Sequence, residues 1–226
     1  MRAIVIAMDR EEGDFISYVL RHVGLSVAVT LDVERIMPVL VERPADLIVV
    51  IGDAAADTSP IVSRIRQRSQ TPLLALIESF RESDQSDLLD AGADLVLSRP
   101  VSPRLLSRYA RIFLRRGGNV PAAALDRMES LGVVLEPASR MVTIDGESCN
   151  LTQLEFRLLF LLMSRSGQVV DLDEIVARVW GYSGEGARDL VRGLVRRLRR
   201  KLEPSQEQST YIHNVIGLGY RFARDE

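Results

Sequence analysis

The sequence feature that most constrains the fold is a basic helical segment followed by a glycine-bearing hairpin near the carboxyl end. Residues 189–201 read DLVRGLVRRLRRK, and residues 211–222 read YIHNVIGLGYRF. The first segment carries an apolar stripe at helical spacing, formed by Val191, Val195, Leu198 and Leu202. The second alternates apolar and polar residues around Gly217 and Gly219, which is typical of a β-hairpin. The two patterns predict a core-packed helix and, after it, a hairpin.

Arginines occupy the remaining faces of this predicted helix. Arg188, Arg192, Arg196 and Arg200 recur at steps of four, with Arg197, Arg199 and Lys201 beside them. A basic helix with a hairpin next to it is what a winged helix presents to DNA, with the helix in the major groove and the wing on the flanking backbone. The alternative is a solvated surface without a partner, since runs of charge commonly have no other role.

Two helix-start signals lie upstream of the basic segment. Thr152 and Glu155 form one capping box, and Asp171 and Glu174 form another. Each precedes an apolar helical run, and short strands are expected near residues 133–135 and 141–144. Helices, strands and hairpin together predict a compact α+β domain of ordinary size.

Four ordered motifs in this half resemble the effector domain of OmpR/PhoB-family response regulators. They are LTQLEFRLLFLL, VARVWGY, VRRLRRKLEP and YIHNVIGLGYRF, and the resemblance covers nearly all of residues 128–225. It implies that the recognition helix and wing contact DNA through Arg188, Arg192, Arg196, Arg197, Arg199, Arg200, Gly217 and Tyr220. Of these, Arg192, Arg196 and Arg197 are expected at bases and phosphates, and Arg188, Arg199 and Arg200 at phosphates. It also implies that Tyr182, Ser183 and Gly184 lie in a loop that touches RNA polymerase.

Two positions depart from that family pattern. Leu194 stands where a polar residue is common, and it could contact a thymine methyl group but cannot donate a hydrogen bond. Ile216 stands where an arginine often precedes the wing glycine. The wing is therefore not expected to enter the minor groove with a charge.

The amino-terminal half alternates buried strands with helices. Continuous apolar runs at residues 3–7 and 47–51, and weaker ones at 73–77 and 94–97, are typical of parallel strands covered on both faces. Helical patterns fall at residues 15–23, 33–41, 61–68, 83–91 and 103–114. The alternation predicts a doubly wound α/β sheet with strand order 2-1-3-4-5, whose working site lies at the carboxyl ends of the strands.

The motifs PADLIVV, TPLLAL and AGADLVLSRP make residues 1–116 resemble a receiver domain, the usual partner of that effector domain. A working receiver holds Mg²⁺ with an acidic pair, and one of its own aspartates accepts the phosphoryl group. The positions of its acidic pair, acceptor, hydroxyl, switch aromatic and lysine fall here on Met8 and Asp9, Ile51, Ile77, Val96 and Arg99. Isoleucine has no nucleophile, so the resemblance implies a degenerate phosphorylation site without metal or phosphotransfer.

A replacement acceptor stays open at this point. Asp53 lies two residues after Ile51 and could cluster with Asp9, Glu11 and Glu12 at the strand ends. No hydroxyl or lysine partner accompanies it, and the alternative is a solvated acidic loop, which we prefer.

The predicted organisation is a doubly wound (βα)5 pseudo-receiver domain at residues 1–116, a linker at 117–127 and a winged helix-turn-helix domain at 128–226. The formal net charge is -2, so nucleic-acid binding has to come from local clustering of arginines. Cys149 is the lone cysteine, and His22 and His213 lack metal-ligand spacing. No nucleophile–base pair or phosphate-binding glycine loop is evident, so we expect no enzyme activity, cofactor or metal.

The chain shows no apolar run of about 18 residues that could span a membrane. Its start, MRAIVIAMDREE, turns acidic too early for a signal peptide and is interpreted as a first strand. A cytoplasmic location without membrane partners is therefore expected.

These features predict a phosphorylation-independent, sequence-specific regulator of transcription that binds double-stranded DNA at promoter repeats. The receiver resemblance implies a homodimer through residues 83–91, 94–97 and 103–114, with Asp94 and Arg111 as interface candidates. A different hypothesis is an interaction protein, whose pseudo-receiver binds a partner protein or a small ligand and whose DNA binding is secondary.

Overall fold

The computed structural model of the protein describes residues 1–78, 81–114, 127–181, 188–203 and 210–224. The chain divides into two compact units, Met1–Arg115 and Arg116–Glu226. The predicted linker at residues 117–127 lies outside the described residues except for Arg127.

The first unit is built on a five-stranded parallel sheet with the order β2-β1-β3-β4-β5, which confirms the predicted topology. Its strands are β1 (Arg2–Ile6), β2 (Ser26–Thr30), β3 (Leu47–Gly52), β4 (Leu73–Ile77) and β5 (Leu95–Ser98). β3 and β4 are buried along their whole length, because helices cover both faces of a doubly wound sheet. The sheet therefore forms the core and brings the carboxyl ends of its strands to one edge.

Five helices connect these strands: α1 (Arg10–His22), α2 (Val33–Glu42), α3 (Ala55–Arg68), α4 (Glu82–Ala91) and α5 (Pro103–Leu114). Asp9 caps α1 by accepting the backbone N–H of Glu12 at 3.1 Å. Asp32 caps α2 in the same way through the N–H of Glu34 at 2.9 Å. These caps fix the starts of both helices.

Asp94 is an anchor inside this unit and not a surface residue. Its side chain is buried, accepts the backbone N–H of Leu73 at 2.9 Å and lies 2.9 Å from Nη2 of Arg66. Arg66 also donates to the carbonyl oxygens of Gly92 and Thr71. The prediction that Asp94 contacts a second receiver is wrong, because its carboxylate is committed to joining β5 to β4 and α3.

The second unit begins with a four-stranded antiparallel sheet formed by β6 (Met128–Ser130), β7 (Val133–Glu136), β8 (Met141–Ile144) and β9 (Glu147–Asn150). Next come α6 (Gln153–Met163), β10 (Val170–Asp171), α7 (Leu172–Val179), α8 (Arg188–Leu202), β11 (Ile212–Val215) and β12 (Gly219–Phe222). The last three strands form a sheet with the order β10-β12-β11. Three helices packed with a carboxyl-terminal hairpin make this the predicted winged helix-turn-helix fold.

Capping fixes the starts of two of these helices. Thr152 and Glu155 form a reciprocal capping box, with Thr152 N–H donating to Glu155 at 2.8 Å and Glu155 N–H donating to Thr152 Oγ1 at 3.2 Å. Asp171 accepts the N–H of Glu174 at 2.8 Å at the start of α7. Trp180 follows α7 and is one of the largest fully buried side chains in the described part of the chain. The side chain of Trp180 thus belongs to the core of this unit.

The hairpin β11–β12 turns through residues 216–218. Val215 pairs with Gly219, and Gly217 has a φ of 77°, a region that favours glycine. A Cβ on Gly219 would lie 2.0 Å from the carbonyl oxygen of Val170, so any side chain there would push β10 and β12 apart. The two glycines thus serve different purposes, one for the turn and one for strand pairing.

Within the described ranges, no helix has the combination of length and apolar character that crossing a bilayer requires.

Candidate functional site

Helix α8 presents three exposed arginines, Arg192, Arg196 and Arg200, which we call the basic face. The Nη1 atom of Arg192 lies 3.3 Å from Oδ1 of Asp189 in the first turn of the helix. The prediction that these three contact DNA agrees with their exposure. Arg188 begins α8, but its side chain lies outside the described residues, as do Tyr182, Ser183 and Gly184 of the predicted polymerase loop.

The opposite face of α8 is buried, and it includes Leu194 at 0% exposure. The suggested contact between Leu194 and a thymine methyl group is therefore wrong. Leu194 packs in the core with Leu190 and Leu198, so it positions the basic face and does not reach a base.

Arg197 differs sharply from its neighbour Arg196. It is only 5% exposed, and its Nε lies 3.9 Å from Oε1 of the buried Glu155. The prediction that Arg197 meets bases or phosphates is wrong, because its guanidinium points into the unit. The sequence contained the signal: Arg197 follows Leu190 and Leu194 by seven and three residues, which places it on the apolar stripe.

Glu155 is the centre of a buried ion cluster that the sequence analysis missed. Lys201 Nζ lies 2.7 Å from Oε2 of Glu155 and also donates to the carbonyl oxygen of Asn150 at 2.8 Å. Burial alone would raise the pKa of the Glu155 carboxyl. The charges of Lys201 and Arg197, together with hydrogen bonds from Lys201 and the backbone of Thr152, outweigh this effect, so the pKa lies below its ordinary value. The Glu155 cluster, formed with Arg197 and Lys201, ties the start of α6 to the last turns of α8.

Cys149 lies next to this cluster on β9 and is half-buried. Burial raises the pKa of its thiol, the negative charge of Glu155 adds to the rise, and Lys201 opposes it. The thiol is therefore less ionised than an ordinary cysteine at neutral pH.

Arg199 links α8 to the wing. Its Nε and Nη2 donate to the carbonyl oxygen of Ile212 at 3.2 and 2.6 Å. A guanidinium held this way does not project from the basic face, so Arg199 holds the hairpin and its predicted phosphate contact loses support. Tyr220 is largely buried, and burial raises the pKa of its hydroxyl against the charges of Arg199 and Arg192. The base of the wing thus lies against the basic helix, and only Gly217 of the two predicted wing residues is at the open turn.

The predicted phosphorylation-site residues lie near the carboxyl ends of the strands of the first unit, and they are poorly suited to bind a metal ion. Ile51, the second-last residue of β3, is almost completely buried, and Ile77 and Val96 are buried as well. Met8 is exposed, and the carboxylate of Asp9 is engaged as the cap of α1. Two isoleucines, a thioether and one capping carboxylate do not supply the oxygen ligands that Mg²⁺ prefers. In the described part of the chain, no group of three or more carboxylate, imidazole or thiol side chains is arranged to hold a metal ion.

Arg99 joins two acidic side chains at this edge. Its Nη2 lies 2.6 Å from Oδ1 of Asp53, and its Nη1 contacts the carboxylate of Glu12. Arg99 is mostly buried, whereas the side chain of Asp53 is 75% exposed. We call Arg99, Glu12 and Asp53 the edge bridge. It connects the loop after β3 to the first turn of α1 and to the end of β5.

A receiver-like doubly wound unit followed by a winged helix-turn-helix unit is the architecture of two-domain response regulators. The family described as "Transcriptional regulatory protein, C terminal" matches residues 146–222. The whole chain also resembles a solved RitR mutant with a TM-score of 0.77 and 20% identity, covering 99% of each chain, which supports the shared fold.

Two curated relatives extend over nearly the full length. The chain is 30% identical over 225 residues to the "DNA-binding dual master transcriptional regulator RpaA" of Synechocystis sp., covering 97% of this chain and 93% of RpaA. It is 31% identical over 221 residues to the "DNA-binding response regulator MtrA" of Mycobacterium tuberculosis, covering 97% of this chain and 96% of MtrA. The chain therefore belongs to the OmpR/PhoB family of response regulators. Both relatives are named as regulators and not as enzymes.

Proposed function

We propose that this family member is a sequence-specific regulator of transcription that binds double-stranded DNA as a dimer and acts without phosphorylation. In this proposal residues 1–116 are a pseudo-receiver, residues 117–127 a linker and residues 128–226 the DNA-binding domain. The names of its relatives describe DNA-binding regulators, which supports the first part. The remaining parts rest on the basic face, on the edge bridge and on the charges that α4 and α5 carry.

The basic face of α8 is the proposed DNA contact. Arg192, Arg196 and Arg200 are exposed on one side of a helix whose other side is anchored in the core. A rigid helix with several exposed guanidinium groups suits the major groove, where arginine makes bidentate hydrogen bonds to guanine and ion pairs with phosphates. The overall charge of -2 makes this local clustering necessary.

The edge bridge carries the proposal that phosphorylation is not needed. Ile51 fills the acceptor position with a buried side chain that has no nucleophilic atom. Arg99, at the lysine position, already pairs with Asp53 and Glu12. In a working receiver a lysine neutralises a charge that arrives with the phosphoryl group. Here an arginine is paired with two charges that the chain supplies permanently.

The proposed dimer face combines α4 with α5. Helix α4 carries the acids Glu82, Asp84, Asp87 and Asp90 and no base. Helix α5 carries the bases Arg104, Arg108 and Arg111 and no acid, and all three arginines are exposed. Opposite charges on neighbouring helices suit a two-fold interface, in which α4 of one protomer meets α5 of the other.

A dimer would also explain the affinity for repeated half-sites. Tethering two winged-helix units makes the second contact intramolecular and can raise overall binding by about 10²–10⁴. Tyr182, Ser183 and Gly184, which lie outside the described residues, are the proposed contact with RNA polymerase.

Selection of duplexes from a random-sequence pool by the untreated full-length protein tests the DNA-binding part. The selected duplex should share a repeated motif, and its log affinity should fall linearly with log salt as several phosphate contacts require. The same measurement is then repeated with acetyl phosphate and Mg²⁺, and we expect an unchanged dissociation constant and oligomeric state. A gain of one phosphoryl mass, mapped to Asp53 and accompanied by tighter binding, would overturn phosphorylation independence.

Sedimentation tests the dimer face. An Arg108→Glu/Arg111→Glu variant puts acids on both helices and should shift the full-length protein toward monomer. Arg21→Glu, at an exposed position of α1, should not. Wild-type protein that is monomeric at micromolar concentration would refute dimerisation.

A further inference from the structure

The helix that carries the basic face contains a single acid, and this acid stands where the helix begins. Asp189 lies in the first turn of α8, and every other charged residue of this helix is an arginine or Lys201. An acid in a first turn stabilises the helix dipole, which is its ordinary role. On a surface that is proposed to bind DNA, the same acid also repels the phosphates. A role in recognition would offset that repulsion.

The side chain of Asp189 is directed at an arginine of the basic face. Its Oδ1 accepts a hydrogen bond from Nη1 of Arg192 at 3.3 Å, about one helical turn further along. The side chain of Asp189 is 33% exposed and that of Arg192 is 70% exposed, so the guanidinium keeps most of its surface open to a partner. An ion pair as exposed as this one contributes little to stability, but it restricts the conformations of a long arginine side chain.

The base of the wing lies near the same guanidinium. Burial raises the pKa of the Tyr220 hydroxyl, and the charges of Arg199 and Arg192 lower it, so both arginines lie close enough to act on this group. Tyr220 belongs to β12, where it pairs with Asn214 of β11. Arg192 is thus near both the carboxylate of Asp189 and the wing, and it occupies the amino-terminal part of the basic face.

We propose that Asp189 is a positioning residue, which holds the guanidinium of Arg192 in the orientation that reads one guanine in the major groove. The inference rests on the proposed DNA binding and adds the residue that sets a base preference of the basic face. An arginine reads guanine by donating two parallel hydrogen bonds to O6 and N7, which requires its planar guanidinium in one orientation. Asp189 accepts from Nη1 and leaves Nε and Nη2 to donate to the base.

The same carboxylate makes the phosphate backbone a poor alternative partner for Arg192. An arginine without an acid beside it pairs with phosphates of any sequence, and such contacts carry no sequence information. The pair of Arg192 and Asp189 has little net charge, so a phosphate gains little from it, whereas the N7 and O6 of guanine still accept hydrogen bonds. Asp189 therefore lowers general affinity and raises base preference.

The test compares full-length variants on the selected duplex, in which each base pair is substituted in turn. Arg192→Ala should identify the base pair concerned, as the one whose substitution no longer weakens binding. Asp189→Ala should lose about three- to ten-fold of the preference for guanine at that same pair, because side chains in contact are energetically coupled. If the pair identified in this way is not G·C, the inference fails.

Two further measurements sharpen this result. Replacing the guanine by 7-deazaguanine, which lacks the N7 acceptor, should weaken binding of wild type and not that of Arg192→Ala. The affinity of Asp189→Ala for a duplex of random sequence should equal or exceed that of wild type, since a negative charge near the phosphates has been removed.

Two variants separate positioning from an effect on the start of the helix. Asp173→Ala removes a first-turn acid of α7 and should leave every base preference unchanged. Asp189→Glu keeps a carboxylate within reach of Arg192 and should retain part of the preference for guanine. If Asp189→Ala weakens binding to all duplexes by the same factor, Asp189 only supports the start of α8 and the inference is overturned.

Failure of the proposed function gives a different pattern. If wild-type protein selects no duplex, or if an Arg192→Ala/Arg196→Ala variant keeps wild-type affinity and salt slope, the basic face is not the DNA contact. If Arg192→Ala relaxes the preference for guanine while Asp189→Ala keeps it, the proposed function stands and only the positioning role of Asp189 fails.

Discussion

Each unit of the protein contains an arginine paired with a carboxylate, but the surroundings of the two pairs are opposite. In the winged-helix unit, Arg197 and Glu155 are both buried, and Lys201 completes the cluster. In the receiver-like unit, Arg99 reaches from a mostly buried position to an exposed Asp53. An arginine–carboxylate pair therefore occurs in a low-dielectric interior in one unit and next to water in the other.

The environment decides which arrangement the fold depends on. A buried charge that loses its partner keeps a desolvation penalty that nothing offsets, whereas an exposed charge is rehydrated by water. The Glu155 cluster should therefore be a requirement for folding. The edge bridge should be adjustable, which makes it suitable for setting the behaviour of the first unit without unfolding it.

Glu155→Gln should produce the largest effect. It leaves Arg197 buried beside a neutral amide, so the free energy of unfolding of the winged-helix unit should fall by about 3–5 kcal/mol. Urea unfolding followed by Trp180 fluorescence measures this, because the only tryptophan of the chain lies in that unit. Glu147→Gln, an exposed change on β9, is the matched control and should stay within about 0.5 kcal/mol. Equal stability of the two variants would show that the cluster is not structural.

The adjacent arginines of α8 should separate folding from binding. Arg197→Ala should lower the free energy of unfolding by about 1–3 kcal/mol, less than Glu155→Gln because Lys201 still neutralises Glu155. Arg196→Ala should leave stability nearly unchanged and weaken binding to the selected duplex by about 1–3 kcal/mol if it contacts a base. Urea unfolding of both variants measures their stability, and titration with the selected duplex measures their DNA affinity. Loss of affinity in Arg197→Ala with full stability would return Arg197 to the DNA surface.

Acid should reduce the difference between wild type and Glu155→Gln. Because the pKa of Glu155 is lower in the folded state than in the unfolded state, its contribution is fully present above the unfolded value of about 4.3 and is lost as the pH falls through the folded pKa. The gap in unfolding free energy between the two proteins should therefore be constant near neutral pH and shrink below about pH 4. A gap that stays constant down to the acid unfolding of both proteins would contradict the assigned pKa shift.

Sequence periodicity predicted the parallel sheet well because its central strands are buried on both faces and read as unbroken apolar runs. It missed β2, a half-exposed edge strand, and the first turn of α1, whose residues Arg10, Glu11 and Glu12 contribute little apolar surface. Asp94 was expected in a strand and, from the receiver resemblance, at an interface, but it lies just before β5 and is buried.

The site was less predictable than the fold, because the sequence alone does not show whether an arginine is exposed or buried in an ion pair. Arg196 and Arg197 are adjacent, and only the position of Arg197 on the stripe with Leu190 and Leu194 distinguishes them. The partner of Arg197, Glu155, lies on another helix, and such a long-range pair leaves no periodic pattern. Arg99 likewise meets Glu12 and Asp53 only after three chain segments converge at the edge of the sheet.

Asp53→Asn, a change in the exposed part of the edge bridge, should have the smallest effect. Asp53 is exposed, and Arg99 keeps its contact with Glu12, so the free energy of unfolding should change by less than about 1 kcal/mol. Glu34→Gln, which breaks an exposed pair with Arg64 on another part of the same unit, should give a change of similar size. Affinity for the selected duplex should also stay the same, with or without acetyl phosphate and Mg²⁺. If Asp53→Asn instead abolished a response of wild-type protein to acetyl phosphate, Asp53 would be the working acceptor, and the edge bridge would be the resting state of a switch.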